Sequence, residues 1–153
     1  MRCAILLALS LVTSACSGPP SADPRIVAEW MHSLYGAIRV ERLSPPVASR
    51  LMVYATAALH SGFAAVSESP VPLALNGFPR LPAAGSDRDV DGALVAIAAE
   101  RIIVDSLFHE ALPTTRGALA RLADSLLAGR TRVVGERYRP ASQALGARIG
   151  LAI

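Results

Sequence analysis

Asp87-Arg88-Asp89-Val90-Asp91-Gly92 is the run whose residue types and spacing come nearest to chemistry. Carboxylates at alternate positions ahead of a glycine form the first half of a calcium loop, D-x-D-x-D-G. They converge on one hard cation, and the glycine permits the sharp turn. The second half of such a loop needs a bidentate glutamate at its twelfth position, where this chain has Ala98, and Val95 stands at the ninth. No helical pattern leads into the run. Asp87, Asp89 and Asp91 are therefore read first as the acidic start of a helix, complementing its dipole, and only second as cation ligands.

Other pairings are less complete. Glu29-x-x-His32 has the spacing of a di-iron ligand pair, but that site needs a second such pair and two more glutamates, and neither His60 nor His109 is preceded suitably. Asp105 and His109 fall one turn apart on one helix face, close enough to pair, yet no nucleophile accompanies them. G-x-S-x-G, H-E-x-x-H and a phosphate-cradling glycine loop do not occur. Both cysteines, Cys3 and Cys16, lie in the N-terminal segment, so the body has no thiol or disulfide chemistry. On the residues alone the chain carries no catalytic residue, no metal site and no cofactor.

The elements that would position these groups are helices. Alanine and leucine abound, β-branched runs are few, and 153 residues suffice for one domain with a real core. The segment 88–112 holds Leu94, Val95, Ile97, Ile102, Ile103, Val104 and Phe108 among alanines and is apolar nearly all round, as a buried helix is. Glu100, Arg101 and Asp105 interrupt it too often for a bilayer span. Around it the pattern predicts a helix over 24–40, capped by Asp23, with Ile26, Trp30, Leu34 and Ile38 inward. A second helix is predicted over 45–66, with Val47, Leu51, Tyr54, Ala58 and Leu59 inward. Four prolines make 67–86 a loop. Thr114 or Thr115 is predicted to cap a fourth helix that has Leu119, Leu122 and Leu126 inward and stops at Gly129. A polar connector over 130–139 then leads to a last helix from Pro140. The expected fold is all-α, an irregular bundle of about five helices around 88–112. Gly146 and Gly150 read as a close-packing face awaiting a partner helix, and the uncapped end of the last helix reads as a cut in mid-element.

Fifteen basic residues, all arginine, are scattered against twelve acidic ones, a balance too small and dispersed for nucleic acid. At the N-terminus Met1-Arg2 precedes an apolar run over 4–12, of signal-peptide length. Thr13-Ser14-Ala15-Cys16 resembles a bacterial lipoprotein lipobox. That resemblance implies a signal peptide over 1–15, cleavage before Cys16, acylation of its thiol and a tether over 16–23, so that a lipid would hold the protein to a membrane of the cell envelope.

The body resembles the N-terminal helical part of bacterial vanadium-dependent haloperoxidases, relatives of the type 2 phosphatidic acid phosphatases. Trp30, Ser44-Pro45-Pro46-Val47-Ala48-Ser49-Arg50, the proline-rich loop, the alanine-rich central helix ending Leu107-Phe108, and Tyr138-Arg139-Pro140-Ala141-Ser142 leading to Gly146 and Gly150 carry the resemblance. The family holds vanadate or phosphate through K-x6-R-P, P-S-G-H and S-R-x5-H-x3-D, whose cationic and hydroxyl donors cradle the oxyanion. The last two motifs do not occur here, and Arg132-x6-Arg139-Pro140 only mimics the first. The resemblance thus implies a truncated N-terminal part, inactive alone, whose partner is a missing C-terminal catalytic half; vanadate is expected only in a full-length relative. The alternative is a complete small helical lipoprotein acting as a binding module.

Overall fold

The structure is a computed structural model and describes residues 23–67, 81–85 and 89–153. Five α-helices follow one another: α1 Pro24–Val40, α2 Pro45–Ala64, α3 Gly92–Leu107, α4 Pro113–Val134 and α5 Arg139–Ala152, with a 3-10 turn, Glu136–Tyr138, before the last. The all-α bundle around a buried central helix is the one the sequence predicts.

α1 has the predicted limits. Asp23 accepts the Arg25 N–H at 3.0 Å, and Pro24 opens the first turn, where its missing N–H is no loss. Ile26, Trp30 and Leu34 are buried along one stripe. The helix closes in a Schellman turn: Arg42 N–H bonds the Arg39 carbonyl at 3.3 Å and Leu43 N–H bonds the Ile38 carbonyl at 3.1 Å. Arg42 stands at φ +52°, a conformation that glycine adopts without strain. In α2 the inward stripe is Leu51, Ala55, Ala58 and Leu59, whereas Val47, predicted inward, is exposed.

α3 is the hub, shorter than the predicted 88–112. Asp91 is its N-cap, accepting the Leu94 N–H at 3.0 Å, and Phe108 leaves helical geometry while staying buried. Three glycines bring other helices against its backbone. A Cβ on Gly62 of α2 would lie 2.3 Å from the Ala96 Cα. On α5, a Cβ at Gly146 would meet the Val95 carbonyl at 2.5 Å, and one at Gly150 the Ala99 carbonyl at 2.8 Å. The helix that Gly146 and Gly150 require is therefore α3 of this chain. At these two positions the close-packing surface is filled from within the chain.

α4 departs most from expectation. It runs through Gly129 to Val134 and stops at Gly135, whose φ of +104° ends the helix. The predicted connector over 130–139 is thus mostly helical. An interior glycine costs about 1 kcal/mol relative to alanine, but the next two residues, Arg130 and Thr131, are buried, and Arg130 is held by its pair with Asp91. Neither Thr114 nor Thr115 is the cap. Glu41, at the far end of α1, accepts the Leu112 N–H at 3.1 Å and the Thr115 hydroxyl at 2.5 Å, so a carboxylate from another helix closes this N-terminus. The inward stripe is Leu119, Ala123 and Leu127, with Leu122 and Leu126 at its flank.

Candidate functional site

Two buried acids mark α3, Asp91 at its N-cap and Glu100 within it. At its N-terminus the two oxygens of Asp91 take three donors: Oδ1 accepts Leu94 N–H and Arg130 Nε at 2.9 Å, and Oδ2 accepts Arg130 Nη2 at 2.6 Å. The pair is fork-on-fork, with side chains 6% and 9% exposed. Asp91 N–H in turn donates to the Ser142 hydroxyl at 2.9 Å, and Ser142 is fully buried on α5. Asp91 thus ties three helices together, its carboxylate joining α3 to α4 and its backbone N–H reaching α5. Asp89 is exposed and faces Arg137 at 3.7 Å, while Asp87 and the lipidation candidate Cys16 lie outside the described residues. So of the three aspartates, Asp91 is spent on the protein's own donors.

The second feature is Glu100, three residues past Ile97 on the same helix. It is 0% exposed, and neither carboxylate oxygen has a hydrogen-bond partner among the described residues. Burial pushes its carboxyl well above the ordinary value of 4.5, because the charged form has no solvent and the neutral form loses less. The indole Nε1 of Trp30 and the Thr131 hydroxyl are also buried without a partner among these residues. An acid inside an apolar helix was visible in the sequence; that it points inward follows only from its phase, one turn from Ala96 and one from Val104.

The remaining sequence candidates do not converge. Glu29 and His32 are exposed on α1, as is His60 on α2. Asp105 pairs with Arg101 at 3.8 Å, and His109 turns to the Ser106 carbonyl at 2.8 Å, so the predicted Asp105–His109 pair is replaced by contacts within each residue's own neighbourhood. Both border a shallow recess of about 400 Å³ with Phe108 and Arg116. Arg132 donates to the Ala128 carbonyl at 3.4 Å and Arg139 faces Glu136 at 3.8 Å, so the two arginines that mimic the oxyanion motif serve their own helices. No group of three or more metal-ligating side chains occurs among the described residues, and no helix among them is long and apolar enough to cross a membrane. Comparison of the chain with family profiles, with curated proteins and with solved structures finds no match.

Proposed function

We propose that this chain is a non-catalytic helical module of haloperoxidase-like architecture, exported and held at the cell envelope by a lipid on Cys16. The observation that carries the non-catalytic reading is where the polar side chains go. Asp91, Arg130 and Ser142 join three helices to one another, and Arg132 and Arg139 turn to local acceptors, so no set of cationic donors converges on an oxyanion among the described residues. The positions that carry the family resemblance support the architecture. Trp30 sits in the core, Pro45 and Pro46 open α2, Pro140 opens the last helix, and Gly146 and Gly150 seat it on α3.

In this reading the body supplies packing surface to a catalytic half carrying P-S-G-H and S-R-x5-H-x3-D. The isolated chain gives no monobromination with vanadate and peroxide, and activity appears only on co-expression with such a half; turnover by the chain alone overturns the proposal. A second reading, a helical envelope lipoprotein that binds other proteins, is favoured by the filled glycine face, since α5 already has its partner in α3. Failure of any motif-bearing half to restore activity decides for it.

A further inference from the structure

Half of the large apolar side chains exposed among the described residues gather at one end of the bundle. Val40, Val47, Leu107 and Leu112 stand there, 38–59% exposed, with Leu43 half-buried beside them. α1 and α3 end at this tip, and α2 and α4 begin at it. Glu41 joins the two turns through the Leu112 N–H and the Thr115 hydroxyl. A shallow recess of about 260 Å³ opens between them, bordered by Leu43, Val47, Arg50, Leu107 and Ala111. Phe108 lines both this recess and the one beside Arg116. Arginines surround these side chains. Arg42 lies in the α1–α2 turn, Arg50 on the second turn of α2 and Arg116 on the first turn of α4, all exposed. Arg39, in the last turn of α1, lies over the Tyr35 ring at 6.0 Å. None of the four is in an ion pair among the described residues. The nearby acids are fewer and engaged: Glu41 with α4, Asp105 with Arg101 at 3.8 Å, and Glu110 with His109 at 3.5 Å.

We propose that this tip docks on a bilayer of anionic phospholipid, its four aliphatic side chains entering the interface and its arginines binding phosphates around them. Valine and leucine side chains bury apolar area at the boundary of headgroups and acyl chains. A guanidinium presents a planar fork of donors that matches a phosphate. Each arginine near such a surface strengthens binding about fivefold. The arrangement suits a membrane better than a helix of a partner protein, because the apolar groups cap four helix ends instead of lining a groove between two helices. α1 has 17 residues and is about 25 Å long, so the tip lies a helix length from Asp23, where the chain enters the bundle. The surface is therefore distinct from an anchor at Cys16, and it needs only the folded bundle.

The test is amide exchange by mass spectrometry on the full chain, reconstituted into vesicles of phosphatidylcholine alone or with about one third phosphatidylglycerol. The N-terminal segment meets both membranes alike, so protection that differs between them reports the body. Peptides over 38–52 and 105–117 exchange several-fold more slowly on the anionic vesicles, while peptides over 24–34 and 139–152 exchange alike on both. High salt removes the extra protection. Arg42→Glu with Arg50→Glu removes two factors of about five, on the order of 25-fold in docking. Val47→Ser with Leu112→Ser also loses it, with the charges intact. Equal exchange on the two vesicles overturns the proposal, as does protection that survives salt or is confined to 24–34, at the end where the chain enters. Polyglutamate added to the chain in neutral detergent leaves the tip peptides unchanged; protection there means that the surface takes acidic protein, and the lipid assignment fails. Should either double variant not fold, the salt dependence of the wild type decides.

Discussion

Replacing Arg130 by methionine tests how much of the bundle hangs on one ion pair. The substitution keeps the aliphatic stem and removes the guanidinium that gives Asp91 two of its three hydrogen bonds, at 2.9 and 2.6 Å. Asp91 is then left with the Leu94 N–H at 3.0 Å, in a site where its side chain is 9% exposed. Breaking a buried pair from one side costs about 3–5 kcal/mol, because the remaining charge keeps its desolvation penalty and loses its partner. For a chain of this size each 1 kcal/mol lowers the thermal midpoint by about 2–4 °C, so a fall of roughly 6–20 °C is expected. The double variant Asp91→Asn, Arg130→Met removes the stranded charge while keeping a side-chain acceptor at the N-cap, and should recover to within about 1 kcal/mol of wild type. Urea and thermal unfolding of the four proteins close the cycle. A single variant that loses less than about 1 kcal/mol, or a double variant no better than the single, refutes the reasoning that the pair is buried, bidentate and coupled.

Three further outcomes follow from the packing. Gly146→Ala forces a methyl group to within 2.5 Å of the Val95 carbonyl and 2.6 Å of the Ala98 Cβ, so it should destabilise the fold by about 1–3 kcal/mol in urea titration, more than the same change at Gly129, which has open space. Arg42→Gly relieves the left-handed backbone of the α1 cap and should stabilise by roughly 1 kcal/mol, read as a higher urea midpoint at unchanged slope. Glu100 makes stability fall as pH rises. Below the ordinary value of 4.5 folded and unfolded chains both hold the proton; above it the unfolded chain ionises first, so about 1.4 kcal/mol is lost per pH unit until the folded chain ionises too. Glu100→Gln should abolish that slope, and an unchanged slope in the variant contradicts the assignment.

Local signals in the sequence carried the helices whose ends are set locally. Asp23 and Pro24 fix the start of α1 through contacts two residues apart, and its stripe of Ile26, Trp30 and Leu34 is the buried one. Where the deciding partner is remote, the same signals mislead. Thr115 has the chemistry of a cap, yet its hydroxyl bonds Glu41 across 74 residues, and the helix begins earlier at Pro113. Gly129 has the chemistry of a stop, yet Arg130 is drawn into helix by Asp91, 39 residues away, and Gly135 takes the positive φ instead. The partner of Gly146 and Gly150 was in the chain all along, invisible because spacing shows that a face is smooth but not what lies on it. Asp91 illustrates the limit for the candidate site. An acidic residue at a helix start was legible, but its second role, binding α4 and α5, depends on Arg130 and Ser142, which nothing nearby in the sequence marks.

The claim that this bundle works at the cell envelope rests on Cys16. The direct measurement is the mass of the N-terminal peptide of the protein recovered from the membrane fraction of its native host. A lipid-anchored protein begins at Cys16 with acyl groups on its thiol. An unmodified terminus at any other residue contradicts it.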